Sequence, residues 1–278
     1  MKIIADSGAT KTDWCLINGA GEVKTVQTIG LNPYFLDEDG VLNILRKDLY
    51  PFLDNKKVDQ VFFYGSGCAL PHKKQVLQCA LDFFFIHADV EVENDLLGAA
   101  RASCGSENGL VCILGTGASS CLYDGKEVAE HLPSLGYILG DEGGGAFLGK
   151  QLISAYFCNE LPDHLQKLFE QKYPASLAEV LDKVYKQPFP NRYLASFVEF
   201  LNEHKTDSFV KELLGSAFDT YFKKQVLRYP DYDKYSLHFI GSVSYFFSDE
   251  LHKSAKNYGL TISKIEQTPL DGLLEYHK

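Results

Sequence analysis

The chain has 278 residues, 45% of them hydrophobic and 23% charged, with a formal net charge of −10. That composition is globular and long enough for about two domains. The acidity argues against a general nucleic-acid binder, which needs a basic surface to meet phosphates, but it leaves open a locally positive site for a small anion. The N-terminal "MKIIADSGA" meets Asp6 too soon for a secretory core or a membrane span. Seven cysteines with no C-x-x-C pair suit reduced thiols, so a cytoplasmic protein without membrane or nucleic-acid partners is expected.

In chain order, "KIIADSG" reads as a short apolar strand, "ATKT" as a polar turn, "DWCLIN" as a second strand and "KTVQTIG" as a third after a "GAGEV" turn. Residues 37–53, "DEDGVLNILRKDLYPFL", carry Val41, Leu42, Ile44, Leu45 and Leu49 at helical spacing. "KVDQVFFYGSG" is a buried-type strand ending in glycines, "PHKKQVLQCALDFFF" a helix with Pro71 at its start, "ADVEVEND" a strand, and "DLLGAARASCG" a small-residue helix. The same grammar then restarts. "LVCILGTGASSCLYDGKEVAEH" is again strand, Gly/Thr turn, strand, Gly turn and strand. This pseudo-repeat predicts two related α/β lobes with a cleft between them, divided as 1–104 and 105–265, with a last helix at about 266–278 that packs back on the first lobe. "GDEGGGAFLGK" opens a helix, 162–228 is helix-rich with a break at Pro188 and Pro190, and "FIGSVSYFF" is strand, Gly turn and helix.

Several stretches combine residue types that chemistry uses. In "DSGATKT" a strand ends on Asp6, Gly8 opens the turn, and Thr10, Lys11 and Thr12 follow. Backbone N–H groups of such a turn surround phosphate oxygens, and Asp6 suits a largely hydrated Mg²⁺; an ordinary hairpin is the plainer reading. Gly115, Thr116 and Gly117 of "ILGTGASS" offer the same pair of readings, and two such turns at the starts of two similar lobes favour a shared grip on a nucleotide's phosphates. Asp95 in "VENDLLGAA" stands at a helix start, where Asn94 or Asp95 serves as N-cap or Asp95 as a general base. The glycines of "GDEGGGAFLG" predict close approach to a ligand, with Asp141 and Glu142 accepting from sugar hydroxyls or favouring the helix N-terminus. Asn32, before Pro33, makes an Asx-turn or faces a sugar substituent. Gly241 permits backbone approach to an adenosine or makes an ordinary turn. Cys68 has no base beside it in sequence. Neither H-E-x-x-H nor G-x-S-x-G occurs.

"DSGATKTDW", "ENDLLGAARA", "ILGTGASS", "GDEGGGAFLG" and "FIGSVSYFFSDEL", in this order, resemble the BadF/BadG/BcrA/BcrD-type ATPases, a group that includes N-acetylglucosamine kinases within the actin-like, hexokinase-like, Hsp70-like superfamily. The resemblance spans residues 3 to about 250. It implies an α/β fold of two ribonuclease-H-like lobes around a central nucleotide and substrate cleft, and an ATP-dependent kinase acting on an amino sugar, N-acetylglucosamine, at its 6-hydroxyl. It implies that Asp6 positions Mg²⁺, that Gly8, Thr10, Lys11, Thr12, Gly115, Thr116 and Gly117 meet the phosphates of ATP, and that Gly241 and Tyr245 lie by the adenosine. Asp95 is then the base, and Asn32, Ser134, Leu135, Gly136 and Asp141 contact the sugar. A homodimer is a further family expectation. "PSLGY" departs from the aromatic-bearing pattern that usually precedes "GDEG". Two rival readings are an activator ATPase for a dehydratase-type enzyme, whose cluster-binding "CAAGTG"-like motif has no counterpart here, and a non-catalytic sugar or nucleotide sensor.

Overall fold

Ile3, Ile4 and Ala5 are all fully buried, so the first strand is covered on both faces and must be central to its sheet. The computed structural model describes residues 1–53 and 57–278. It places this strand, β1 (Lys2–Ser7), in the middle of a five-stranded sheet with β2 (Lys11–Ile17), β3 (Val23–Ile29), β4 (Gln60–Gly65) and β5 (Asp89–Asn94), in the order β3-β2-β1-β4-β5. β1, β2 and β3 form an antiparallel meander, while β4 and β5 run parallel to β1. Parallel neighbours require crossovers, supplied by α1 (Glu38–Ile44) and α2 (Pro71–Phe84); α3 (Asp95–Cys104) follows β5 directly. Trp14 is wholly buried in this core, and its indole N–H donates to Thr28 Oγ1 at 3.0 Å, so burial leaves no orphaned donor.

The apolar spacing in 37–53 predicted one helix. Val41, Leu42, Ile44, Leu45 and Leu49 are indeed buried, but the α-helix gives way to a π-helical turn (Leu45–Leu49) and a 3₁₀ turn (Tyr50–Phe52). Pro51 lacks an N–H and its ring clashes with the preceding turn, which ends regular α-helix here.

The second sheet contains β6 (Gly109–Leu114), β7 (Ala118–Tyr123), β8 (Val128–His131), β9 (Leu237–Ile240) and β10 (Ile262–Glu266) in the order β8-β7-β6-β9-β10. β6, β9 and β10 are parallel. Strand for strand this is the order of the first sheet, so the pseudo-repeat read from the sequence is a topological repeat. Between β8 and β9 the chain makes a helical excursion through α4 (Gly136–Leu139), α5 (Gly145–Phe157), α6 (Asp163–Lys172), α7 (Leu177–Tyr185), α8 (Pro190–Ser196), α9 (Val198–Glu203) and α10 (Ser208–Tyr221). Phe169, Phe197, Phe200, Phe218, Phe222 and Phe239 pack its core. α11 (Ser242–Phe246) and α12 (Ser248–Asn257) link β9 to β10.

The chain divides into two compact units, one of Met1–Glu107, Tyr123–Ala129 and Thr268–Lys278, the other of Asn108–Leu122 and Glu130–Gln267. The last helix, α13 (Leu270–Tyr276), belongs to the first unit and packs on α3 and β1. His277 beyond it stacks on Phe62 at 3.9 Å and pairs with the Tyr64 hydroxyl at 2.7 Å, which also accepts from Arg101 at 2.8 Å. Gly272 allows the close crossing, since a Cβ there would stand 2.3 Å from the Ala102 carbonyl oxygen. Gly272→Ala is therefore expected to destabilise the protein by about 1–3 kcal/mol despite alanine's better helix propensity, read as a lower midpoint in thermal melts.

Candidate active site

The functional candidates of the first unit gather at the carboxyl ends of its parallel strands, where α/β sheets commonly bind ligands. Ser7, Gly65 and Asn94 are register partners across β1, β4 and β5, so the turn after β1, the turn after β4 and the start of α3 leave the sheet side by side. The first turn is closed by the Gly8 N–H on the Lys11 carbonyl at 2.9 Å and held from behind by the Gly30 N–H on the Thr10 carbonyl at 2.9 Å. Gly30 must be glycine, because a Cβ would stand 2.4 Å from the Gly8 oxygen. Gly8 is different: a Cβ would meet only the Lys11 oxygen, at 3.8 Å.

Two expected phosphate contacts are engaged within the chain. Thr12 is fully buried; its hydroxyl pairs with Ser7 Oγ at 2.7 Å and donates to the Ile29 carbonyl at 3.1 Å, so it braces the turn from inside. The Lys11 ammonium lies 2.7 Å from Asp13.

Asp6 stands opposite Asp13 in the β1–β2 register. Burial pushes its carboxyl up to about 7, the charges of Asp95 and Asp13 push the same way, and Lys11 opposes them. Burial also lifts Asp95 to about 6, against hydrogen bonds from the backbone N–H groups of Leu96 and Asp95 itself. The cap of α3 is made by Asn94, whose Oδ1 accepts from the Leu97 N–H at 2.8 Å. Capping therefore does not require Asp95. Among the described residues no group of three or more His, Cys, Asp or Glu side chains gathers into a metal cage. The donors at Asp6 and Asp13 are hard oxygens carrying excess negative charge, and they fit a cation that keeps most of its water, as Mg²⁺ does.

Asn32 adopts the Asx-turn: its Oδ1 accepts from the Tyr34 N–H at 2.9 Å, and its Nδ2 donates to Ser66 Oγ at 3.3 Å. Ser66 is a residue that the sequence reading passed over. Its N–H donates to the Ser7 carbonyl at 2.8 Å, which ties the turn after β4 to the end of β1. Cys68, two residues on, is buried; burial first, then the charge of Asp95, pushes its thiol up to about 12, which makes it a poor nucleophile.

In the second unit the 115–117 turn is pinned to the helix behind it. Gly145 N–H donates to the Gly115 carbonyl at 2.8 Å, and Ala146 N–H to the Thr116 carbonyl at 2.9 Å, so the turn satisfies the orphan donors of α5. The glycine cluster expected to approach a ligand is largely taken up by protein. A Cβ on Gly144 would stand 2.7 Å from the Gly117 carbonyl, on Gly149 1.8 Å from the Leu194 oxygen, and on Gly241 2.2 Å from the Leu114 oxygen. Asp141 adopts φ 55° and sets its carboxylate against Gly117, where a Cβ would fall 2.8 Å from Oδ2. Burial raises the Asp141 carboxyl, while a hydrogen bond from the Ala118 N–H holds it down. Glu142 is buried and paired with Lys224. Only Gly115 in this turn has open space where a Cβ would stand. Tyr245 is half exposed on α11, and Ser134, Leu135 and Gly136 lead into α4, whose Ile138 and Leu139 are exposed.

The raised Asp6 carboxyl has a consequence for stability. A carboxyl whose folded value lies above its unfolded value favours the fold when protonated; that contribution is fully present below about pH 4 and is lost as pH rises through about 7. Asp6→Asn is expected to stabilise the protein at pH 8 in the absence of divalent cation by about 2–4 kcal/mol, read as a higher melting midpoint, and to leave the midpoint nearly unchanged at pH 4.

No protein-family model matches the sequence, and no curated protein matches it. A solved structure from Porphyromonas gingivalis, provisionally named an N-acetylglucosamine kinase, is 42% identical with a TM-score of 0.95, over 100% of this chain and 98% of that one. A second protein under the same provisional name, from Chromobacterium violaceum, is 14% identical with a TM-score of 0.72, over 100% and 98%. A ROK family glucokinase from Streptomyces griseus, in complex with glucose and AMPPNP, is 14% identical with a TM-score of 0.60, over 99% and 97%. The last two share the fold.

Proposed function

The chain belongs to the family of the Porphyromonas gingivalis N-acetylglucosamine kinase-like protein, sugar kinases on the actin-like ATPase fold, and on that premise we propose that it transfers the γ-phosphoryl group of ATP to the 6-hydroxyl of N-acetylglucosamine. Within the superfamily we place it with the BadF/BadG/BcrA/BcrD-type ATPases, on the motifs quoted above. The observation that carries this reading is the pair of half-buried carboxylates, Asp6 and Asp95, both raised by burial, at the carboxyl ends of β1 and β5.

Asp95 accepts the proton of the sugar hydroxyl as its oxygen attacks the γ-phosphorus and ADP departs. A base held up to about 6 is mostly ionised at neutral pH and still basic enough to take a proton as the O–P bond forms. Asp6, with Asp13 opposite it, is the side chain that would hold Mg²⁺, which supplies charge neutralisation at the phosphoryl oxygens. Gly8, Thr10 and Lys11 in one turn and Gly115, Thr116 and Gly117 in the other meet the phosphates, while Thr12 keeps the first turn in shape. Gly241 and Tyr245 face the adenosine, and Asn32, Ser134, Leu135, Gly136 and Asp141 face the sugar. The glycines at 8 and 115 support this assignment. Neither has a positive φ, and neither has a protein neighbour that a methyl group would strike, so close approach by a ligand is a reason for the missing side chain.

Asp95→Asn is expected to lower phosphoryl transfer by roughly 10²–10⁴-fold with ATP affinity little changed. In the wild type, kcat/KM is expected to fall about tenfold per pH unit below about 6 as Asp95 of the free enzyme takes up its proton, and the variant should lose that contribution. Near-normal turnover by Asp95→Asn would remove it from the chemistry. Gly115→Ala, which the fold has room for, is expected to leave the melting midpoint unchanged and to weaken ATP binding about tenfold or more, measured by calorimetry.

A further inference from the structure

Glu142 is a carboxylate that the fold has taken inside, and its charge is met by the ammonium of Lys224. Lys224 sits in the π-helical turn Phe222–Val226 that extends α10, closed by the Leu227 N–H on the Phe222 carbonyl at 2.9 Å. Such turns wind one residue more between hydrogen-bonded partners than an α-helix does, and they are frequent at functional sites. The neighbours of Lys224 reach the pieces that build the second unit's part of the site. The Tyr221 hydroxyl donates to the Ser119 carbonyl at 2.9 Å, and the Ser120 hydroxyl donates to Gln225 Oε1 at 2.8 Å, both just beyond the 115–117 turn. Tyr229 accepts from the Leu132 N–H at 3.1 Å, two residues before Ser134.

Asp141 directly precedes Glu142, and the backbone around the two is tightly placed. Asp141 adopts φ 55°, and Gly143 follows at φ 77°, where a Cβ would stand 3.1 Å from the Tyr221 Cβ. Turning Glu142 out to water therefore moves the peptide that carries Asp141. The two carboxylates also feel each other: besides burial and the Ala118 hydrogen bond, the Glu142 charge pushes the Asp141 carboxyl up, and Lys150 opposes it. The ion pair is lopsided. Lys224 is half exposed and is solvated with or without a partner, whereas Glu142 is buried and depends on the cation. Removing the cation alone leaves a buried charge uncompensated, while removing both charges is close to neutral.

Building on the proposed kinase activity and on Asp141 as a residue that faces the sugar, we infer that Lys224 is a positioning residue: by neutralising Glu142 inside the fold it keeps the neighbouring Asp141 carboxylate set against Gly117, with lone pairs left for a sugar hydroxyl. Lys224 itself touches no substrate. It acts through Glu142, and the π-helical turn brings it there while Gln225 and Tyr221 hold β7 from the same segment. Its loss is felt in sugar binding and not in the grip on ATP, because the ion pair bears on the loop that carries Asp141.

The test is to measure KM for N-acetylglucosamine and for ATP separately, with Mg²⁺ present, in the wild type and four variants. Lys224→Met should raise the sugar KM about tenfold and leave the ATP KM near the wild-type value. Lys224→Arg, which keeps the charge, should stay close to the wild type. Lys224→Met combined with Glu142→Gln should recover most of the sugar affinity, since no unpaired charge is left inside; this pair of changes also keeps the test decisive if Lys224→Met alone folds poorly. Lys223→Met, which removes the adjacent cation paired with Asp219, should leave the sugar KM unchanged. An unchanged sugar KM in Lys224→Met, an equal rise for sugar and ATP, a double variant no better than Lys224→Met, or the same effect from Lys223→Met would each overturn the inference while leaving the kinase reading intact. Absence of sugar turnover in the wild type would overturn both.

Discussion

Two aspartates of like charge share the carboxyl end of one sheet, and neither is fully solvated. Burial and the charge of Asp95 act on Asp6 together, and Asp13 adds to them from the neighbouring strand. A fold that only had to be stable would place an asparagine or a serine there. The arrangement becomes favourable once positive charge arrives, so the cost built into the apo protein is returned as affinity for a cation and for the charge that accompanies phosphoryl transfer. The surrounding structure holds the pair in place: Asn94 takes over the cap of α3 and releases Asp95 from that duty, while Ser7, Thr12 and Gly30 fix the turn that follows Asp6.

The glycines divide by what a Cβ would meet. At Gly30, Gly144, Gly149 and Gly241 it would strike protein backbone, and these residues let strands, turns and helices approach within backbone distance. At Gly8 and Gly115 it would not. Gly8 and Gly115 fall in the two turns that occupy equivalent places in the two topologically matched sheets. Gly115 answers differently from its neighbour Gly117, whose Cβ position is filled by the Asp141 carboxylate. One short stretch thus serves the fold with one glycine and leaves the other side of the turn open.

Much of this was legible in the sequence because the signals are local. Strand, polar turn and strand, repeated after residue 107, announced matching strand meanders, and "END" before an apolar helix announced a cap and a carboxylate together. What escaped depends on partners far apart in the chain. Gly149 is glycine because of Leu194, and the amide of Asn32 meets Ser66 across 34 residues. Thr12 looks like a phosphate ligand until Ser7 and Ile29 are seen to hold its hydroxyl inside. The apolar spacing over 37–53 marks the correct buried face, but Pro51 disfavours regular α-helix in the turns before it, an effect the spacing does not carry.

The electrostatic pairing can be observed directly by following the Asp6 carboxyl carbon by ¹³C NMR through a pH titration of the wild type and of Asp95→Asn, with and without Mg²⁺ and nucleotide. The account requires a midpoint near 7 in the free wild type, a lower one when the Asp95 charge is removed, and a lower one again when cation and nucleotide are bound. A midpoint at the ordinary aspartate value of about 3.9, unmoved by either change, would contradict it.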